Sequence, residues 1–202
     1  MSPKDEFNEF GAIQIKDVIP PQLSQFITHA LMREYDLCRL EDRPHKDDQV
    51  TDAVSVLQRN LFLDTINERI WPFLENVLEE KLIPTYSYAR LYTNGNELKN
   101  HIDRESCEIS ITIQLGRSHH YSWPIYTNNK RFDMAECDGV LYKGIEIPHW
   151  RNKCEGPDGY YSGQLFCHYV REDGPYAEWA GDKRWKNGLP FERFRTLSMD
   201  TK

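Results

Sequence analysis

The feature that most constrains the fold is a change of period at Pro84. Upstream, apolar residues recur at helical spacing. From Thr85 they alternate, as in Tyr86-Ser-Tyr-Ala-Arg-Leu-Tyr92 and Cys107-Glu-Ile-Ser-Ile-Thr-Ile-Gln-Leu115. Period two sends successive side chains to opposite faces of a sheet, and β-branched and aromatic residues suit such a surface. Helices first and strands afterwards imply an α+β chain, with helices flanking a β-sandwich or barrel.

The upstream pattern predicts two helices. Leu23, Phe26, Ile27, Ala30, Leu31 and Met32 share a face over about residues 22–36, with Pro21 suited to the first turn. Leu61, Phe62, Ile66, Ile70, Phe73, Leu74 and Val77 do the same over 60–80. An opening strand is expected before Pro20-Pro21, and the polar run 40–52 reads as a loop. Further strands are expected over 85–93, 107–115, 138–143 and 163–170. Asn94-Gly95 and Pro157-Asp158-Gly159 supply turns between them. The 202 residues suit one domain: a helical flank (1–84), a β core (85–170) and an extension (171–202) packing its aromatics on the barrel or helices.

A net charge of −7 argues against an unassisted nucleic-acid binder, which needs clustered Lys and Arg. No apolar run is long enough to span a membrane, and no signal-peptide pattern appears. Five cysteines, an odd number without CxxC spacing, speak against a disulfide framework and for the cytoplasm.

Candidate chemistry centres on His101-Ile-Asp103 and His149. A His-x-acid tripeptide is cheap, since seven histidines and 32 acidic residues in 202 supply about one by chance. A second copy, His45-Lys-Asp47, falls in the polar loop and reads as a solvated run. His101 and Asp103 differ because strand-like runs surround them. On an extended backbone both point to one face while Ile102 points away. His149 completes a set of two imidazoles and a carboxylate, the facial triad of non-haem Fe(II) oxygenases. The alternative for His149 is a hydrogen-bonded surface residue. His168 reads as a hydrogen-bonded core histidine, and His119-His120 as a surface pair.

The chain resembles the 2-oxoglutarate- and Fe(II)-dependent oxygenase superfamily, in its prolyl-4-hydroxylase-like branch. The matching residues are Arg90-Leu-Tyr92-Thr-Asn-Gly95, His101-Ile-Asp103, Cys107-Glu-Ile-Ser110, Asp138-Gly-Val-Leu-Tyr-Lys-Gly144, His149-Trp-Arg151 and Gln164-Leu-Phe-Cys-His-Tyr169, spread over 85–170. The resemblance implies a double-stranded β-helix, or jelly roll, with His101, Asp103 and His149 binding Fe(II). It implies 2-oxoglutarate and O2 as co-substrates, with Tyr92 contacting 2-oxoglutarate. Retention of Asp103 disfavours halogenation, which requires its loss. The family's Arg or Lys about ten residues after the distal histidine is missing: Gly159 stands there, and the strand beyond offers Ser162 and Gln164. Arg151 is the substitute, two residues from His149, and its guanidinium suits bidentate carboxylate pairing. The alternative for Arg151 is an ion pair with an acid such as Glu108. The implied reaction is hydroxylation of a C–H bond, with succinate and CO2 released, on a prolyl-type or other peptide side chain or on a small metabolite. The rival is a jelly-roll metal-binding protein without redox turnover.

Overall fold

The computed structural model of the chain describes residues 1–43, 47–52, 55–128 and 130–184. Its elements run α1 (Pro3–Phe10), β1 (Ala12–Ile15), α2 (Pro21–Leu40), β2 (Ser55–Gln58), α3 (Leu61–Leu78), β3 (Leu82–Thr93), β4 (Leu98–His101), β5 (Ile109–Arg117), β6 (Ile125–Thr127), β7 (Arg131–Phe132), β8 (Gly139–Tyr142), β9 (His149–Arg151) and β10 (Tyr161–Arg171). Single 3-10 segments cover Glu105–Cys107 and Ala177–Lys183. All strand pairs are antiparallel. The larger sheet has the order β1-β8-β5-β10-β3-β2, and the smaller one β4-β9-β6-β7.

The larger sheet has two chemically different faces. Ile109, Ile111, Ile113 and Leu115 of β5 join Leu165, Cys167 and Tyr169 of β10 and Ala89 and Leu91 of β3 in the main apolar core. Leu31 of α2 and Leu63 and Leu74 of α3 close over them. Burying one such Leu or Ile stabilises by roughly 1.5–3 kcal/mol. Tyr169 also donates through its hydroxyl to the Asn67 carbonyl of α3 at 2.9 Å. The alternate residues, Ser110, Thr112, Gln114, Gln164 and His168, point the other way and are equally buried. That second face meets the smaller sheet through two apolar clusters. One joins Tyr92 and Phe166 to Leu98 and Trp123, and the other joins Val140 and Tyr142 to Ile125 and Phe132. Between the sheets lies an interior that is largely polar, and a buried polar interior requires internal partners or a ligand.

Several expectations shift. The strand expected from Cys107 starts at Ile109, because Glu105–Cys107 forms a 3-10 turn. The first ten residues hold a helix that the apolar pattern missed. Ser2 caps it by accepting from the Asp5 amide, Asp5 bonds back to Ser2, and Gly11 ends it at φ 71. The 40–52 stretch is irregular where described, yet Val50 bridges to Leu98. His45 and Lys46 lie outside the described residues. Asp47, the acid of that second tripeptide, pairs with the buried Arg90. The C-terminal extension packs on the β core through Asp182 and Arg184, as far as residue 184. Residues 185–202 lie outside the described residues.

Candidate metal centre

Two antiparallel strands deliver the imidazoles. In the β4–β9 pair, Leu98 lies opposite Arg151 and His101 opposite His149, so three residues on β4 span two on β9. This bulge lets Leu98 and His101 align with Arg151 and His149, which a regular alternation would forbid. The His101 and His149 rings stand 4.3 Å apart between centroids. β4 ends at His101. Ile102 then turns outward, 53% exposed, and Asp103 turns in. The Asp103 amide donates to the Gly144 carbonyl at 2.8 Å, which fixes that reversal.

Both imidazoles have their tautomer set by the backbone. His101 Nδ1 donates to the Lys99 carbonyl at 2.8 Å, and His149 Nδ1 to the Ile147 carbonyl at 3.0 Å. Each Nε2 is the open position of its ring, free to take a proton or a cation, and both face Asp103 Oδ1, at 3.5 and 3.6 Å. Donor atoms about 2.1 Å from one ion stand about 3 Å apart at right angles, so these spacings suit a common divalent cation. A backbone acceptor on the distal nitrogen is the usual support of a ligating histidine. The residues present therefore fit a facial triad.

Without a metal, a proton shared between His101 Nε2 and Asp103 takes its place, and the electrostatics are those of that state. Burial works to raise the Asp103 pKa, but hydrogen bonding to His101 and the charge of His149 bring it below the ordinary carboxylate range. Burial lowers the His149 pKa. At His101 burial also acts downward, and Asp103 with the Lys99 carbonyl reverses it, for a net rise. On the far side, Ser110 donates to Asp103 Oδ2 at 3.2 Å and meets His168 Nδ1 at 2.8 Å. Gly144 packs so closely here that a Cβ would lie 2.2 Å from the Cys107 carbonyl and 2.6 Å from Asp103 Oδ2.

Arg151 follows His149 on the same face of β9 and is 1% exposed. Its Nη1 donates to the Trp123 carbonyl at 2.5 Å and its Nη2 to Gln164 Oε1 at 3.2 Å, while its Nε has no partner among the described residues. Glu108, the alternative partner, bonds Arg171 instead, at 2.7 and 2.8 Å. No ion pair to Arg151 occurs among the described residues, so this buried cation faces neutral acceptors only. Tyr92 packs its ring on Trp123 at 4.9 Å, and the Arg151 guanidinium lies over the same indole at 5.1 Å. Trp123 is thus the shared wall of the two expected co-substrate contacts. Gln164 continues the polar interior, donating to Gln114 at 2.7 Å and accepting from Thr112 at 3.2 Å.

A cleft of about 690 Å³ opens beside Asp103, walled by Tyr86, Tyr88, Ile102, Cys107, His168 and Tyr176. Tyr86 and Tyr88 share a face with Arg90 and Tyr92, as the alternation predicts. The sequence pointed to Ser110 and Gly144 only as part of the resemblance, without a role, and to neither Trp123 nor Gln114 as part of the site. The inward phase of β5, with polar residues at every second position, was the available signal for Ser110 and Gln114.

No protein-family model and no curated protein matches the chain. Solved structures do. A prolyl-4-hydroxylase of Pseudomonas putida superposes with a TM-score of 0.61 at 14% identity, covering 83% of this chain and 96% of its own. A viral collagen prolyl hydroxylase from Paramecium bursaria Chlorella virus-1, solved with 2-oxoglutarate, gives 0.58 at 8% identity, covering 81% and 97%. An oxidoreductase of the 2OG-Fe(II) oxygenase family from Burkholderia pseudomallei gives 0.54 at 14% identity, covering 85% and 90%. The chain therefore has the double-stranded β-helix fold of the 2-oxoglutarate- and Fe(II)-dependent oxygenases, prolyl-4-hydroxylases among them.

Proposed function

We propose that the chain is an Fe(II)- and 2-oxoglutarate-dependent dioxygenase that hydroxylates a C–H bond. The observation that carries this reading is the convergence of two backbone-oriented Nε2 atoms on one oxygen of Asp103. His101, Asp103 and His149 would hold Fe(II) on one face and leave the remaining positions open to small molecules. When bound, iron with 2-oxoglutarate supplies O2 activation coupled to oxidative decarboxylation of the keto acid, giving succinate and CO2.

The chain's own residues do the positioning. Arg151 would pair with the distal carboxylate of 2-oxoglutarate, since a buried cation without an acidic partner is costly until an anion joins it. Two residues along β9 advance about 6.6 Å from His149, comparable to the reach of that diacid. Tyr92 and Trp123 flank the guanidinium and exclude water from the pair. The substrate we assign is a peptide side chain, entering the open cleft along Tyr86, Tyr88 and Tyr176. The test is succinate production by the iron-loaded protein offered 2-oxoglutarate with peptide or small-metabolite candidates. Turnover should require both Fe(II) and 2-oxoglutarate and vanish in His101→Ala. Turnover that survives His101→Ala refutes the site, and iron-loaded protein with no affinity for 2-oxoglutarate by calorimetry favours a metal-binding protein without redox turnover.

A further inference from the structure

A second set of metal donors overlaps the first. One ligand atom from each of Asp103, Cys107 and His168 lies within 4.8 Å of the others. All three line the 690 Å³ cleft, which gives an ion its route in. Asp103 has one oxygen for each set: Oδ1 faces His101 and His149, and Oδ2 faces Ser110, which bonds His168.

The tautomer of His168 follows from its neighbours. Ser110 has one hydroxyl proton, and both Asp103 Oδ2 and the Cys107 carbonyl, each at 3.2 Å, can only accept it. With that proton on either of them, the 2.8 Å contact to His168 is a bond from Nδ1–H to Ser110 Oγ. Nε2 is left as a bare lone pair, buried and without a hydrogen-bond partner among the described residues. One nitrogen donating to oxygen and the other open is the pattern of a ligating imidazole, and His101 and His149 show it in this same chain. Burial also holds the His168 pKa down, to about 4, so the ring is neutral. Burial and the Asp103 charge push the Cys107 thiol up to about 12, so a bound ion has to displace its proton, and the Tyr86 hydroxyl lies 3.2 Å from the sulfur.

We propose that Asp103, Cys107 and His168 form a second cation site, for a soft divalent ion of the Zn2+ or Cd2+ kind, which shares the Asp103 carboxylate with the His101–Asp103–His149 set. The sulfur donor is what separates the two: nitrogen and carboxylate oxygen suit Fe(II), whereas thiolate draws zinc and cadmium. On binding, the Cys107 S–H bond breaks, a sulfur–metal bond forms and the proton leaves to the buffer, with no change of oxidation state. An ion there stands in the cleft, so on the oxygenase reading it inhibits by blocking substrate rather than by displacing iron. The site itself does not depend on that reading.

The test titrates metal-free, reduced full-length protein with Cd2+, following heat and ultraviolet absorbance. The expected result is two equivalents bound, one of them with a thiolate-to-cadmium charge-transfer band. Cys107→Ser and His168→Phe should each lose that equivalent and its band and keep the other. His101→Ala should keep the band. A single equivalent without a band overturns the proposal, as does a band unchanged in Cys107→Ser, which would assign it to another cysteine. Cadmium NMR of the unsubstituted protein guards against a variant that fails to fold: a sulfur-ligated resonance supports the site, and nitrogen- and oxygen-ligated resonances alone overturn it. No 2-oxoglutarate enters this assay, so its failure is distinct from failure of the oxygenase reading.

Discussion

Asp103 is held from three sides: its amide on the Gly144 carbonyl, Oδ1 before two imidazoles, and Oδ2 on Ser110. Ser110→Ala removes the last restraint, and supports of this kind contribute about 10–100-fold in metal affinity. Titration with Mn2+ followed by electron paramagnetic resonance should show a loss in that range with the fold intact. Gly144→Ala is harsher, because its Cβ collides with backbone as well as with Asp103. It should cost about 1–3 kcal/mol of stability by overpacking, read by urea unfolding, and weaken the metal site with it. Arg151→Met keeps volume and removes the charge. It should weaken 2-oxoglutarate binding by about 2–5 kcal/mol while sparing Mn2+ affinity, a split that calorimetry can read. At this scale the sequence was legible where alternation rules. Arg151 points inward with His149, as period two requires, and Ile102, just past the end of β4, turns outward as expected. The partner of Glu108 was not legible, because Arg171 lies 63 residues away and only the β-sheet brings it near.

At the scale of elements, the turn before β8 is tied to β1 by one carboxylate. Asp138 accepts from Lys16 at 2.6 Å, from Gln14 at 3.0 Å and from the Ala135 amide at 3.1 Å. Burial acts to raise its pKa, and these donors outweigh it, so the folded value lies below the ordinary one near 4. A depressed carboxylate contributes stability that is present above the unfolded pKa and lost as pH falls through the folded one. Thermal melts should therefore show Asp138→Asn less stable than the unsubstituted protein near pH 6, with the gap closing toward pH 3. A gap independent of pH would mean that the amide fails for another reason. Long elements were readable here: α2, α3, β3, β5 and β10 carry enough periodic positions to declare themselves. The short ones, β2, β6, β7 and β9, carry two to four residues each, too few for a period. The bulge in β4 is likewise a property of pairing, not of local sequence. The first helix was overlooked although Ser2, Pro3, Asp5 and Gly11 mark its ends.

The whole molecule sets its division of labour by sheet face. Helices cover one side of the larger sheet and supply stability, while the other side meets the smaller sheet through two apolar clusters and carries buried polar residues beside the site. Leu74→Ala, at a fully buried position of α3, should cost about 2–5 kcal/mol by urea unfolding and leave Mn2+ affinity unchanged, since the helix touches only the outer face. The strand order β1-β8-β5-β10-β3-β2 could not be read from the chain, because pairing between distant segments leaves no local mark. What could be read was the class, helices and then strands, and the two ends of the metal set. In the proposed function this interior would hold Fe(II) on His101, Asp103 and His149, with 2-oxoglutarate anchored at Arg151. The most direct test is the visible spectrum of the anaerobic Fe(II)-loaded protein as 2-oxoglutarate is added. A charge-transfer band from chelation by the keto acid should grow in, absent in Asp103→Ala and needing far more 2-oxoglutarate in Arg151→Met. No band at saturating 2-oxoglutarate, or one indifferent to Asp103→Ala, would contradict it.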